Sequence, residues 1–298
     1  MQKNNIHTAK YLSTFIFLLL VVGSPFAAAW SKKGHDWMAL QSLLLLQPKI
    51  QSHYSNMFSS IDQMRTIASF PDSQRDVPLK SVYETYKVAV PKSLAAYALA
   101  TTTDWHFHNN TLLDDTNRKC EFENKGKLLD VIKALDNALK EDLNEKQSAI
   151  TLSFFIHLLQ DLHQPLHTFT KLDNKCKHDR GGNLVCLSPS KKSGKACEQN
   201  LHQLWDAGFS VFDGGVALPQ AKVKNYKFSP DAWAYESTRY YKSVYDFKEK
   251  NYAATSQKIA AKQVSAAIAR LAGHLKQHYA LYNKKTPLLI KKPANAKK

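Results

Sequence analysis

No segment of this chain repeats another, no Pro/Ser-rich stretch divides it, and alternating strand-like patterns are scarce. These absences argue against a repeat array, a chain split by a linker and a sheet-built fold. Cysteine is sparse: four residues, Cys120, Cys176, Cys186 and Cys197. Their spacing contains no CxxC-type knuckle, which argues against a cysteine zinc site. Acidic residues are also few, 25 against 41 Lys and Arg, for a formal charge of +16. Long hydrophobic runs are missing except near the amino terminus.

That one run is informative. Lys3 and Lys10 precede an apolar stretch from Phe15 to Val22, followed by Gly23, Ser24, Pro25 and Ala27-Ala28-Ala29. A positive region, a short apolar core and small residues form the pattern of a cleaved signal peptide over 1–29. The stretch is too short to span a bilayer comfortably, so an uncleaved anchor is the weaker alternative. Cleavage after Ala29 makes Trp30 the first residue and leaves 39 basic against 25 acidic side chains, a charge of +14. A basic exported protein is drawn to nucleic acid, anionic lipid or cell-surface polymers, and charge alone does not choose among them. Some of that charge lies in a frayed tail, 284–298. The expected location is secreted or periplasmic, with no stable membrane insertion after cleavage and no obligate protein partner. An even cysteine count there implies two disulfides, with three pairings open.

With 44% hydrophobic residues the chain can bury an ordinary core. Apolar residues recur at three- to four-residue spacing over roughly 35–46, 125–143, 146–162, 198–212, 231–247 and 256–282, predicting amphipathic helices. Asn144 stands where a helix cap is needed and Pro165 where the next helix must stop. The Lys-, Gly-, Ser- and Cys-rich stretch 173–199 reads as a long disulfide-tied loop. The expected fold class is all-α: a single mainly helical domain over about 30–283.

Two histidine–aspartate pairs stand out. His157 and Asp161 lie four residues apart in SFFIHLLQDLHQPLH, and His202 and Asp206 repeat the spacing in NLHQLWDAG. On a helix this spacing puts both side chains on one face, about 40° apart and about 6 Å along the axis. The apolar flanks imply burial, and a buried aspartate needs a charged partner, which a metal would supply. A surface hydrogen bond is the plainer reading of either pair alone. His167 follows Pro165 closely enough to fold back toward Asp161. Singly, Asp72 could merely cap a turn, His106 could be a packed core residue and Arg75 a solvated arginine. His163 lies off the face of Asp161 and is a candidate to support a ligand from behind.

Six segments occur in the order found in the S1/P1 nucleases, which this chain resembles over nearly all of its mature length. They are Trp30-Ser31-Lys32-Lys33-Gly34-His35, Phe70-Pro71-Asp72-Ser73-Gln74-Arg75, Asp104-Trp105-His106-Phe107, His157 through His167, Gly181-Gly182-Asn183 and Leu201-His202 with Asp206. The resemblance implies three Zn²⁺ in a cleft. The α-amino and carbonyl groups of Trp30, with His35 and Asp161, would hold one. Asp72, His106 and His157 would hold a second, with Asp161 shared, and His167, His202 and Asp206 the third. An α-amino group has a pKa near 8 and ligates only once freed, so signal cleavage and metal assembly are linked.

The implied activity is endonucleolytic hydrolysis of single-stranded DNA or RNA to 5′-phosphate products, with 3′-nucleotidase activity open. Asp72, Arg75 and Asp161 would carry the catalytic roles, Arg75 supporting phosphate or transition-state charge. Phe107 would stack an unpaired base, which gives a single-strand preference without base selectivity. Asn109, which departs from an acidic residue found there in some members, and Asn183 would be substrate contacts. Two other readings compete: a zinc-dependent phospholipase C, and an exported protein that binds nucleic acid without cutting it. Asp206, where the lipases usually have glutamate, and the Gly-Gly-Asn motif favour the nuclease.

Overall fold

The computed structural model describes residues 30–61, 66–111, 120–191, 197–219 and 226–285. The expected signal peptide 1–29 and the tail from 286 onward lie outside them. Eleven α-helices are formed among the described residues: α1 Lys32–Leu44, α2 Pro48–Ser59, α3 Phe70–Ser73, α4 Leu79–Thr85, α5 Leu128–Ala138, α6 Glu145–Asp161, α7 Pro165–Thr168, α8 Leu201–Asp206, α9 Pro230–Thr238, α10 Tyr241–Tyr245 and α11 Tyr252–Lys285. Single 3₁₀ turns cover Lys92–Tyr97, Thr103–His106 and Gly208–Asp213. Among the described residues, strand is limited to two small pairs and a single bridge between Leu172 and His178. Asn110–Thr111 (β1) runs parallel to Phe169–Thr170 (β2), and Cys186–Pro189 (β3) pairs antiparallel with Cys197–Asn200 (β4).

Helix α6 is the axis of the molecule. Asn144 accepts from the Gln147 backbone N–H while the Gln147 side chain accepts from the Asn144 N–H, a reciprocal cap that defines its start. Every residue from Ser148 to Asp161 is buried. A helix buried all round needs neighbours on all sides, and α1, α2, α3, α5 and α11 pack against it. The main core gathers Trp30, Met38, Tyr54, Trp105, Phe154 and Phe155, among others. A smaller one holds Leu166, Phe169, Leu201, Trp205 and Tyr252 beneath α7 and α8. No helix among the described residues is long and apolar enough to cross a membrane.

Several expected boundaries differ. The helix expected over 198–212 starts only at Leu201, because residues 197–200 are strand and Asn200 caps α8 through a second reciprocal box with Gln203. It ends at Asp206: Gly208, Phe209 and Ser210 all have positive φ, which helix backbone cannot hold. The stretch expected over 231–247 is two helices, parted at Arg239–Tyr240. The presumed loop 173–199 carries the β3–β4 hairpin, stapled by Cys186–Cys197, while Cys120–Cys176 closes the second disulfide. Helix α11 takes in Lys284 and Lys285, the first residues of the expected tail. The short helices α2, α3 and α4 had no counterpart in the apolar spacing.

Candidate metal centre

Five elements converge at the carboxyl end of α6. That helix supplies His157 and Asp161, one turn apart. Helix α1, capped by Ser31, supplies His35; α3 supplies Asp72; the turn Thr103–His106 supplies His106. Pro165 opens α7 rather than extending α6, so the chain reverses and returns His167 to within 3.5 Å of Asp161 (Nδ1 to Oδ1). Helix α8 brings His202 and Asp206.

Three groups result, each with its ligand-type atoms within 4.8 Å of one another: His35, His157 and Asp161; Asp72, His106 and His157; His167, His202 and Asp206. Asp161 is common ground. Its Oδ2 lies 3.0 Å from His106 Nδ1 and 3.2 Å from His157 Nε2, and its Oδ1 lies 3.4 Å from His35 Nε2. Asp72 Oδ1 is 3.6 Å from His157 Nε2. In the third group, His202 Nε2 is 3.1 Å from His167 Nε2 and 3.5 Å from Asp206 Oδ2.

The hydrogen bonds behind the rings show what these groups can hold. His35 Nδ1 faces the Gln160 side-chain oxygen at 2.6 Å, His157 Nδ1 the Ala68 carbonyl at 2.7 Å, and His202 Nδ1 the Gly181 carbonyl at 2.7 Å. All three partners only accept, so each Nδ1 carries the hydrogen and each neutral ring turns an Nε2 lone pair inward. Those lone pairs converge on carboxylate oxygens, which also only accept. His35 Nε2, His106 Nε2, His167 Nδ1 and Asp161 Oδ1 are buried with no hydrogen-bond partner. Lone pairs facing one another in a buried site require positive charge between them, and the residues present therefore fit cations.

The proton affinities tell the same story. Burial opposes charge on Asp161, yet His157 and His167 and hydrogen bonds from His106 and His157 hold its carboxyl well below the usual range. Asp72 is held down in the same way, burial being outweighed by His157, His106 and Arg75. His157 is pushed up despite its burial, by Asp161 and Asp72. The same two carboxylates would draw a cation to His157 Nε2. Burial pushes His106 down to about 3, with Arg75 adding to the effect. It also lowers His167 and His202. Asp206 is pushed up by burial to about 7, against the pull of His202 and Gln164. The third group, with two neutral rings, leaves its carboxylate in want of a positive partner.

The remaining expected residues fall around this cluster. Trp30 is fully buried: its indole donates to the Gln160 carbonyl at 3.0 Å, and the next N–H, of Ser31, donates to the Asp206 carbonyl at 2.9 Å. Arg75 grips Asp72 through Nε at 3.0 Å and Nη2 at 2.7 Å. Phe107, half-buried, directly follows His106, and its backbone leaves Gly126 no room for a side chain: a Cβ there would sit 2.2 Å from the Phe107 carbonyl oxygen. Asn109 is buried, its N–H held by Asn124. Asn183 lies on the turn whose Gly181 carbonyl meets His202, but its amide donates back to the Arg180 carbonyl at 2.8 Å. His163 does not support Asp161. Its ring bonds the Leu159 carbonyl and Arg270 on the far side.

Two residues of the centre escaped the sequence reading. Gln160 binds His35 twice, through its ring and its carbonyl. Gln164 donates to Asp206 Oδ1 at 2.8 Å and accepts from the Leu166 N–H, joining α7 to α8. Their signal was available: two glutamines in a run whose apolar flanks imply burial need partners.

The family model for S1/P1 nuclease matches residues 30–280. No curated protein matches the chain. The match covers most of the sequence and contains every one of the converging elements, and on it the chain belongs to the S1/P1 nuclease family.

Proposed function

We propose that the protein is an exported endonuclease that uses three Zn²⁺ to hydrolyse phosphodiester bonds in single-stranded DNA and RNA, leaving 5′-phosphates. The observation that carries this reading is the inward convergence of Nε2 lone pairs and carboxylate oxygens around Asp161. His35 and Asp161, with the freed terminus of Trp30, hold one ion. Asp72, His106 and His157 hold the second, sharing Asp161, and His167, His202 and Asp206 the third. Bound there, such ions make water nucleophilic near neutral pH and neutralise charge on phosphoryl oxygens.

The protein's own groups do the rest. Three carboxylates leave the loaded cluster at about +3, an attractive seat for a phosphodiester. Arg75, held in place by Asp72, brings a fixed positive charge beside the cluster, where it would stabilise charge building on phosphorus oxygens. Phe107 would stack an unpaired base; Asn109, buried beside it, and Asn183, bonded back to Arg180, would need to turn outward to touch the strand. A duplex cannot offer a splayed base to that ring, hence the preference for single strands. Signal cleavage at Ala29 frees the Trp30 nitrogen, so assembly follows export.

The test is direct. The processed protein is assayed on denatured and duplex DNA, on RNA and on a lecithin emulsion, with and without chelator, and its metal content is measured. Three zinc ions, chelator-sensitive cleavage of single strands and phosphatase-removable 5′ ends are expected. Lecithin hydrolysis in place of nucleic-acid cleavage would transfer the protein to the lipases. Zinc bound without either activity would make it a binding protein.

A further inference from the structure

Each of three rings, His35, His157 and His202, has its Nδ1 hydrogen claimed by an acceptor behind it. For His35 that acceptor is carried on α6 itself. For His202 it is the carbonyl of Gly181, in a turn outside any helix or strand, with φ of 58° at Gly181 and 56° at Arg180. Backbone bonds from Leu184 to Asp179 and from Val185 to Gly182 close the turn, but neither of them engages Gly181. A chain of hydrogen bonds holds it: the Gly181 N–H donates to Thr170 Oγ1 at 3.0 Å, and Thr170 Oγ1 donates to Asp179 Oδ1 at 2.7 Å. The same Asp179 oxygen accepts the Lys171 N–H at 3.1 Å.

The direction of every link is fixed by chemistry. A carboxylate accepts, so the Thr170 hydroxyl must donate to Asp179 and keep its lone pairs for the Gly181 N–H. The Gly181 carbonyl in turn can only accept, so His202 must carry its hydrogen on Nδ1. Thr170 is fully buried at the end of β2, where pairing with β1 fixes the backbone. Gly181 itself cannot be replaced without disturbance, because a Cβ there would lie 2.3 Å from the Leu166 carbonyl oxygen.

We propose that Asp179, acting through Thr170 and Gly181, is a positioning residue that fixes the His202 ring with Nδ1 protonated and Nε2 turned toward the third ion. It rests on the zinc reading above and extends that reading to a carboxylate three hydrogen bonds removed from the ligand ring. Partners of this kind behind a ligand histidine set its tautomer and raise its basicity, and losing one weakens metal binding about tenfold to a hundredfold.

The experiment compares Thr170→Val and Asp179→Ala with Thr170→Ser and Asp179→Asn. The last two keep the hydroxyl and an acceptor oxygen. Zinc-loaded, ¹⁵N-labelled protein reports the His202 Nδ1–H resonance, and a chelator titration of the same sample counts ions and their affinities. Thr170→Val and Asp179→Ala are expected to lose the Nδ1–H signal. They should release one of the ions about tenfold to a hundredfold more readily, with kcat falling more than KM changes. The serine and asparagine variants should resemble the parent. Unchanged His202 signals and ion affinities in the valine and alanine variants would overturn the proposal. So would equal losses in the conservative pair, since the hydroxyl and carboxylate oxygen would then not be the link. A parent protein that binds no zinc would sink the metal reading instead, while its His202 resonance still decides the hydrogen-bond chain.

Discussion

At the scale of single residues, the paired spacings were the readable part of the centre. His157 with Asp161 and His202 with Asp206 are one helical turn apart, and a turn is set by local geometry alone. Gln160 was not readable as a partner of His35, because the two are 125 residues apart and only packing of α1 on α6 brings them together. Replacing Gln160 with Leu keeps the volume but leaves His35 Nδ1 without its acceptor. We expect zinc affinity at one ion to fall about tenfold to a hundredfold, read by chelator competition. Arg75→Ala removes a guanidinium fixed against Asp72 at 2.7 Å. Its kcat on denatured DNA should drop about a hundred- to a thousandfold, with all ions retained. Loss of zinc along with activity would show that Arg75 merely braces Asp72.

At the scale of elements, α6 was legible almost to the residue, since its cap, its apolar run and the proline after it are all local signals. Asn144→Ala removes one half of the reciprocal cap and should cost about 1 kcal/mol in urea unfolding, with activity at saturating substrate unchanged. Helix α8 was misread for a physical reason. Residues 198–200, Glu-Gln-Asn, are polar and carry no period of their own to set against a helix, while the Cys197 disulfide to Cys186 and pairing with β3 hold 197–200 extended, and neither constraint is written in the local pattern. The break after Asp206 depends on three successive positive φ angles, two of them at non-glycine residues that give no warning in the sequence. Shortening at both ends leaves α8 just long enough to carry one ligand pair.

At the scale of the molecule, the mainly helical fold class followed from the scarcity of strand-like patterns, while the arrangement of helices around α6 needed the structure. Burial of titratable groups across the fold sets its response to acid. His274, stacked on Phe155, is driven well below its ordinary pKa by burial, with His278 adding to the effect. His163 is driven down to about 3 by burial and by Arg270. Both rings stay neutral when folded and take up a proton when unfolded below about pH 6.5. The unfolded chain then binds more protons, so stability is full above that pH and falls as pH drops toward the folded values. Each ring contributes up to about 1.4 kcal/mol per pH unit to that slope. His274→Gln should flatten the acid limb of a stability profile by about one proton. An unaltered slope would mean that other groups control it.

Asp161 touches four imidazoles from four parts of the chain. If the proposed ions bind, that sharing makes two of their seats inseparable: exchanging a donor in one retunes its neighbour. The group built on α8 makes its contact with the shared carboxylate through His167, and so, on that reading, it is the place where redesign can begin with least disturbance of the rest.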